Sequence, residues 1–345
     1  MKGLAIGLFT AVFLFNAFSF AQEPTERKED KYDYLKALTY VETITQPVKN
    51  QLRENDIDLN FFLGLLQGFD GNVYLESSGK EQGAFFEASL NTEAVYNYTD
   101  DIRLKLTNDT SNVLYYWNSD ATLLDTYNEA EMEMDLFGDM FTLGALYAFE
   151  LVWFPGDKDG TYLANQAGTF LRYNFNDNIY HEIGYKFLHK NFSHYKTLNP
   201  DKVRTDELRV DNRNIAYYEA GVYLFDRLMV RTNIEIYGNN SNYDYFHYYD
   251  YFSFKVRPSA IIMLTDKLYA SGSFAYQQKR YDDRLSSETN EHVYDDIYTV
   301  NGSLFYDLTK SFTVAVNCSY SENVSNEPLQ EYTAGTITAG LYYSF

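Results

Sequence analysis

This 345-residue sequence predicts an all-β chain, closed as a transmembrane, antiparallel up-and-down barrel of about 14 strands (roughly 12–16). Three observations carry that expectation. Short turns alternate along the chain with longer polar loops. The segments between them switch between apolar and polar residues with a period of two. Aromatic side chains, 18% of the sequence with 34 Tyr and 26 Phe, crowd the ends of those segments.

The short turns are Thr99-Asp100-Asp101, Phe137-Gly138-Asp139, Asn176-Asp177-Asn178, Phe225-Asp226-Arg227, Thr265-Asp266-Lys267 and Leu308-Thr309-Lys310. Asp, Asn and Gly tolerate the backbone of tight hairpins. The longer connections fall near 69–82, 108–125, 155–161, 191–211, 238–248, 278–291 and 321–331. Short turns at one end and long loops at the other match periplasmic turns and extracellular loops, so the predicted location is the outer membrane.

The strand faces read clearly in three segments. In 126–136, Ala130, Met132, Met134 and Leu136 alternate with Glu129, Glu131, Glu133 and Asp135. In 85–98, Phe86, Ala88, Leu90, Thr92, Ala94, Tyr96 and Tyr98 alternate with a face that includes Phe85, Glu87, Ser89, Asn91 and Glu93. In 312–320, Val314, Val316 and Cys318 alternate with Thr313, Asn317 and Ser319. Such alternation places one face in lipid and the other toward a polar interior. A soluble sheet shares the period, but it cannot easily bury the carboxylate row of 129–135. Tyrosines near the strand ends, among them Tyr96, Tyr98, Tyr276, Tyr298 and Tyr320, fit interfacial girdles.

Ahead of the barrel, Lys2, the apolar run Leu4–Phe20 and Ser19-Phe20-Ala21 read as a signal peptide spanning 1–21, cleaved near Ala21. Its loss removes one lysine from a chain whose net charge is −21. Residues 22–55 form a predicted periplasmic segment, with Tyr34, Leu35, Leu38, Val41 and Ile44 at helical spacing before Pro47. The barrel itself is assigned to 56–345. Mean hydropathy is low, at −0.41. The acidity excludes nucleic acid as a partner, since phosphate binding needs clustered Lys and Arg. It suits outer-membrane lipid and lipopolysaccharide bridged by divalent cations. The single Cys318 cannot form an internal disulfide.

The last strand ends Gly340-Leu341-Tyr342-Tyr343-Ser344-Phe345. With Leu341, Tyr343 and Phe345 at alternate positions, it resembles the terminal insertion signal of Gram-negative outer-membrane β-barrel proteins, porins included. That resemblance implies the barrel-insertion machinery as a partner. Gly68-Phe69-Asp70-Gly71-Asn72-Val73-Tyr74 and Ser319-Tyr320-Ser321-Glu322-Asn323-Val324-Ser325-Asn326 also resemble segments of barrels from surface-protein assembly or exopolysaccharide operons.

The inward polar face is the candidate functional surface. Centring the 108–125 loop near residue 119 sets Arg103 opposite Asp135 and Lys105 opposite Glu133. Glu131 joins these on the same wall, and Arg231, Lys255 and Arg257 supply cations farther round. Such charges either set a transverse field across a water-filled pore or neutralise one another in a filled interior. Ser193-His194 with Asp201 or Asp206 makes a triad only on paper, and polar loop surface explains it better. His181 and His189 read as interfacial residues. Asp157-Lys158-Asp159-Gly160 lacks the remaining ligands of a calcium loop. No motif implies a cofactor, a metal or an enzyme. The first reading is a diffusion channel, or porin, for small polar solutes. The alternatives are an export or assembly barrel for a polysaccharide or surface protein, and a structural or adhesive surface barrel.

Overall fold

The structure, a computed structural model, describes residues 57–344 other than 139 and 226, and every side chain among them except that of 246. The predicted signal peptide, the helix expected within 22–55 and Phe345 lie outside the described residues. Fourteen antiparallel strands close into one barrel. They are β1 Ile57–Asp70, β2 Gly83–Asn97, β3 Ile102–Tyr115, β4 Leu123–Leu136, β5 Phe141–Trp153, β6 Tyr162–Asn176 and β7 Ile179–Leu198. The remainder are β8 Arg204–Leu224, β9 Leu228–Ser241, β10 Tyr251–Met263, β11 Leu268–Leu285, β12 His292–Asp307, β13 Phe312–Ser325 and β14 Tyr332–Ser344. Each strand pairs with its sequence neighbours, and β1 pairs with β14.

Closure leaves no sheet edge, which lets backbone amides sit in hydrocarbon with every ladder bond made. At the seam Leu66 lies opposite Gly340. A Cβ on Gly340 would stand 2.1 Å from the Leu65 carbonyl oxygen, so only glycine permits this approach. At the periplasmic end the turns are tight. Phe137 and Gly138 both take positive φ, 57° and 69°, which matches the twist of a short hairpin.

The outer face carries exposed apolar side chains such as Leu63, Leu65, Leu104, Leu106, Ile337 and Leu341. Aromatic residues border them. Phe137, Phe141, Tyr173 and Phe175 form a run of ring contacts at the periplasmic rim. Among the described residues no helix is long and apolar enough to cross a membrane. Cys318 lies exposed on the outer face of β13, as its row predicts.

Two expectations change. The 191–211 segment is not a loop: β7 has 20 residues and β8 has 21, joined at 199–203. A crossing strand needs about 9–11 residues, so this hairpin stands well above the membrane. Polar residues occur on both its faces, which the turn-residue count mistook for loop. Likewise β3 and β4 reach Tyr115 and Leu123, shortening the 108–125 loop.

The second change is register. Arg103 lies opposite Glu133, and Lys105 opposite Glu131, two residues from the predicted pairing. The hairpin turns around Asn118 rather than 119, because a 3-10 turn at Ser119–Ala121 takes up the connection asymmetrically. The shift is even, so every side chain keeps its predicted face.

Candidate functional site

The barrel interior divides into a wet lower ring, a neutral wall and a dry upper mouth. The ring begins where period-two alternation aims charged residues of β2 to β9 inward. Lys105 bonds Glu93 at 2.9 Å. Arg103 Nε reaches Glu133 and its second nitrogen reaches Asp135, both at 3.0 Å. The Thr142 hydroxyl also donates to Asp135, at 2.7 Å. Arg172 then bridges Glu133 at 3.0 Å and Glu182 at 2.8 Å. Tyr217 donates to Glu182, Tyr180 donates to Glu219, and Arg231 lies 4.0 Å from Glu219.

Of these groups Arg172, Glu182, Tyr217, Glu219 and Arg231 line a cavity of about 190 Å³, together with Glu131, Lys186, Glu235 and Arg257. Glycines preserve its width. Rings on the adjoining strands lie flat over Gly144, Gly184 and Gly221, where a Cβ would meet Phe170, Tyr217 and Tyr180 at 2.1, 2.4 and 2.2 Å. The aromatic atoms occupy the space of missing side chains instead of the lumen.

Each interior residue expected from the alternation is therefore placed. Arg103 and Asp135 are brought together, diagonally rather than directly opposite. Lys105 bonds Glu93, not the predicted Glu133. Arg231, Arg257 and Glu131 line the cavity, while Lys255 lies beside it, cross-strand from Glu235. The acids do not gather on one side: Glu182, Glu219 and Glu235 sit on β7 to β9 next to the cations, so opposite charges alternate around the ring. Leu341 and Tyr343 face outward on β14, with the Tyr343 ring 5.0 Å from Phe312.

The inner face of β11 to β14 carries hydroxyls and amides instead. Asn301 donates to Ser273, Asn317 to Thr338, and Thr299 pairs with Ser321, all at 3.0–3.1 Å. The alternation of Thr313, Asn317 and Ser319 foreshadowed this wall. The flat rings and their glycines were missed, because they become readable only when cross-strand register is known.

At the extracellular end the connection 71–82 turns into the mouth. Asn72 pins it, donating to the carbonyls of Glu76 and Thr333 at 2.8 and 3.0 Å. Tyr115 donates to Asp70 at 3.0 Å. Val73 and Leu75 thereby pack among Phe85, Tyr115, Val152 and Phe192. A second cluster joins Tyr237, Tyr251, Tyr281 and Val293. Between the two, Arg209 stacks 3.3 Å from the Tyr249 ring centroid and bonds Asp211 at 2.6 Å. Burial by itself would raise the Asp211 carboxyl, but Arg209, and Lys190 behind it, hold it below the usual carboxylate range.

The remaining candidates resolve plainly. Ser193 and His194 fall on β7 rather than in a loop, and Asp206 bonds Lys196 at 2.7 Å. His181 and His189 contact Tyr218 and Asn212. Asp157 precedes a 3-10 turn, and among the described residues no metal-holding cluster occurs.

No family model matches the chain, and neither does any curated protein. Among solved structures, outer-membrane expressed OmpT of Vibrio cholerae aligns with TM-score 0.50 and 10% identity, covering 85% of this chain and 99% of that one. An anion-selective porin from Comamonas acidovorans aligns with TM-score 0.47 and 8% identity, over 84% and 99%. The CymD monoaromatic hydrocarbon channel gives 0.46 and 9%, over 84% and 89%. At these identities the likeness is one of fold. Barrel closure, the apolar outer belt and the fold shared with OmpT define the class: the chain is an integral β-barrel of the outer membrane.

Proposed function

We propose that the protein is an outer-membrane channel for small polar solutes, wet from the periplasmic side and constricted at its extracellular mouth. One observation carries the reading. Charged side chains of the lower ring keep contact with solvent, with Arg103, Lys105 and Arg172 exposed to 34, 38 and 28%. Charges that merely filled the interior would be dry. Alternating signs order water and admit dipolar solutes without trapping an ion of either sign. The protein's part is electrostatic selection rather than catalysis, and it needs no cofactor. Lipopolysaccharide around the outer rim and the barrel-insertion machinery acting on the β14 end are the partners this reading implies.

The test is conductance of purified protein in a planar bilayer. The expected result is a stable ionic conductance that rises when residues 73–81 are replaced by a short Gly-Ser link. Absence of conductance from both proteins, each correctly folded, overturns the channel. That outcome favours a structural or adhesive barrel, the second reading, which the packed aromatic mouth supports. An export barrel for a polysaccharide or surface protein instead requires the mouth to open far wider than loop removal alone allows.

A further inference from the structure

The outer wall contains an uncharged polar island where lipid should lie. Along β3 the outward residues run Ile102, Leu104, Leu106, Asn108, Thr110, Asn112, Leu114. Along β4 they run Leu124, Thr126, Asn128, Ala130, Met132, Met134. Leu104, Leu106 and Met132 below the island, and Leu114 above it, are exposed to 39, 43, 51 and 42%. The polar residues therefore interrupt the apolar belt rather than cap it.

Register stacks them. Asn108 lies directly opposite Asn128, Thr110 opposite Thr126, and Thr92 of β2 opposite Asn108. Asn108 Nδ2 donates to Asn128 Oδ1 at 2.9 Å, and the Thr110 and Thr126 hydroxyls share a bond at 2.8 Å. These bonds bury Asn108, which is 5% exposed. Among the described residues they leave the Asn128 amide N–H groups, the whole Asn112 amide and the Thr92 hydroxyl without a partner. Hydrocarbon offers such groups nothing, so a surface that keeps them is not facing lipid alone. Elsewhere on the wall, outward amides meet a tyrosine: Asn165 accepts from Tyr147 and Asn214 from Tyr185.

We infer that this island is the contact through which two copies of the chain associate side by side in the membrane. The occupant follows from the chemistry. No charge is present, so an ionic headgroup finds no counter-charge there, whereas carboxamides both donate and accept and thus complement themselves. Polar side chains between spanning elements serve as attachment points where apolar burial gives no drive. The island occupies one wall only. A ring of three or more copies would need a second, different complementary patch, whereas a two-fold contact sets the patch against itself. The contact concerns the outer face and stands apart from any role of the lumen.

Cysteine cross-linking in native outer membranes tests it, in a Cys318→Ser background, with Asn128→Cys or Asn112→Cys oxidised by copper phenanthroline. Disulfide-linked species of twice the chain mass are expected from either substitution. The unsubstituted protein, whose Cys318 lies on β13, four strands round the barrel from β3, should stay unlinked. Heat-modifiable migration in gels confirms that each variant is folded. As a second measurement, native mass spectrometry of nanodiscs should show two copies for the wild type and one for the folded Asn108→Leu/Asn128→Leu variant. Equal cross-linking through Cys318, a single wild-type copy, or a mass increment matching lipid or another protein would each overturn the inference.

Discussion

Two arginines inside this barrel do the same chemistry in opposite surroundings. Arg172 bridges Glu133 and Glu182 in the lower ring, with side-chain exposures of 28, 13 and 11%. Arg209 bonds Asp211 in the upper mouth, where the exposures are 2 and 0%. Charge does not separate the two; their neighbours do. Around Arg172, rings lie flat over glycines and leave room for water. Around Arg209, Phe192, Tyr195 and Tyr249 place their rings within 3.3–5.7 Å of the guanidinium and fill the section. Whether this lumen is wet is thus set by side-chain size beside the ion pairs, layer by layer.

The largest way to break the comparison is Arg209→Leu. Removing one partner of a buried pair leaves the other charge uncompensated, at a cost of about 3–5 kcal/mol. Urea unfolding of the folded barrel, followed by its heat-modifiable gel band, reads it. The pH dependence should also reverse. In the wild type the Asp211 carboxyl lies below its unfolded value, so its contribution is present above that value and is lost as pH falls through the folded one. Without Arg209, burial raises the same carboxyl, and stability is lost as pH rises instead. The variant's deficit should therefore shrink on acidification; a deficit independent of pH would mean that Asp211 is not held by Arg209.

Next comes Gly184→Val. Its Cβ would meet the Tyr217 ring at 2.4 Å, so the ring must lift into the cavity and release Glu182. Overpacking of this kind costs about 1–3 kcal/mol. It should also lower conductance, making the lower ring resemble the mouth. Gly302→Ala is the control: its nearest neighbour is Cys318 Sγ at 3.5 Å on the outer face, and neither stability nor conductance should change. Unaltered conductance in folded Gly184→Val would show that the permeation path avoids Tyr217.

These contrasts mark what the sequence made legible. The period of two, the turn chemistry and the terminal strand sufficed for a closed barrel and for which face each side chain takes. Arg103, Lys105, Glu131 and Asp135 point inward as alternation requires, even with the register displaced by two residues. Their partners were not legible, because a two-residue slip keeps the face and exchanges the neighbour. The mouth was least readable of all. Val73 and Leu75 sit in a connection whose Gly, Asn and Ser content reads as solvated loop, and bonds that cross strands, among them Asn72 to Thr333 and Gly71 to Gly335 of β14, turn it inward. The long β7–β8 hairpin escaped for a related reason, since polar residues on both faces, the buried Arg209 and Asp211 among them, erase the alternation that announces strands.

A subtler test concerns the electrostatics of the ring. Reversing Lys255 and Arg257 to Glu changes the local charge by about four units, each worth roughly 0.4 kcal/mol at about 10 Å in water. Unscreened, the sum of about 1.7 kcal/mol exceeds a tenfold change in local cation concentration alone, and salt reduces it. The reversal potential in a salt gradient should move toward the cation side, most at low ionic strength. Arg257 lines the cavity and Lys255 lies beside it, so Arg257→Glu alone should carry the greater part. A potential that does not move in the double variant would remove both residues from the permeation path.

The smallest effect belongs to Lys196→Ala, which closes the comparison from the other direction. Lys196 and Asp206 form an ion pair on the same β7–β8 hairpin as Arg209 and Asp211, at a nearly identical distance of 2.7 Å. The hydrogen bond from Lys196 and its charge hold the Asp206 carboxyl below its usual range, yet Asp206 is fully exposed. Water and salt compete for both partners there, and ordering a long lysine side chain offsets what attraction remains. Unfolding of Lys196→Ala should therefore superimpose on the wild type at any salt concentration, while Arg209→Leu unfolds far earlier. Matching losses in the two variants would show that pairing itself, and not dryness, stabilises this hairpin, and the contrast between the two ends of the lumen would then need another cause.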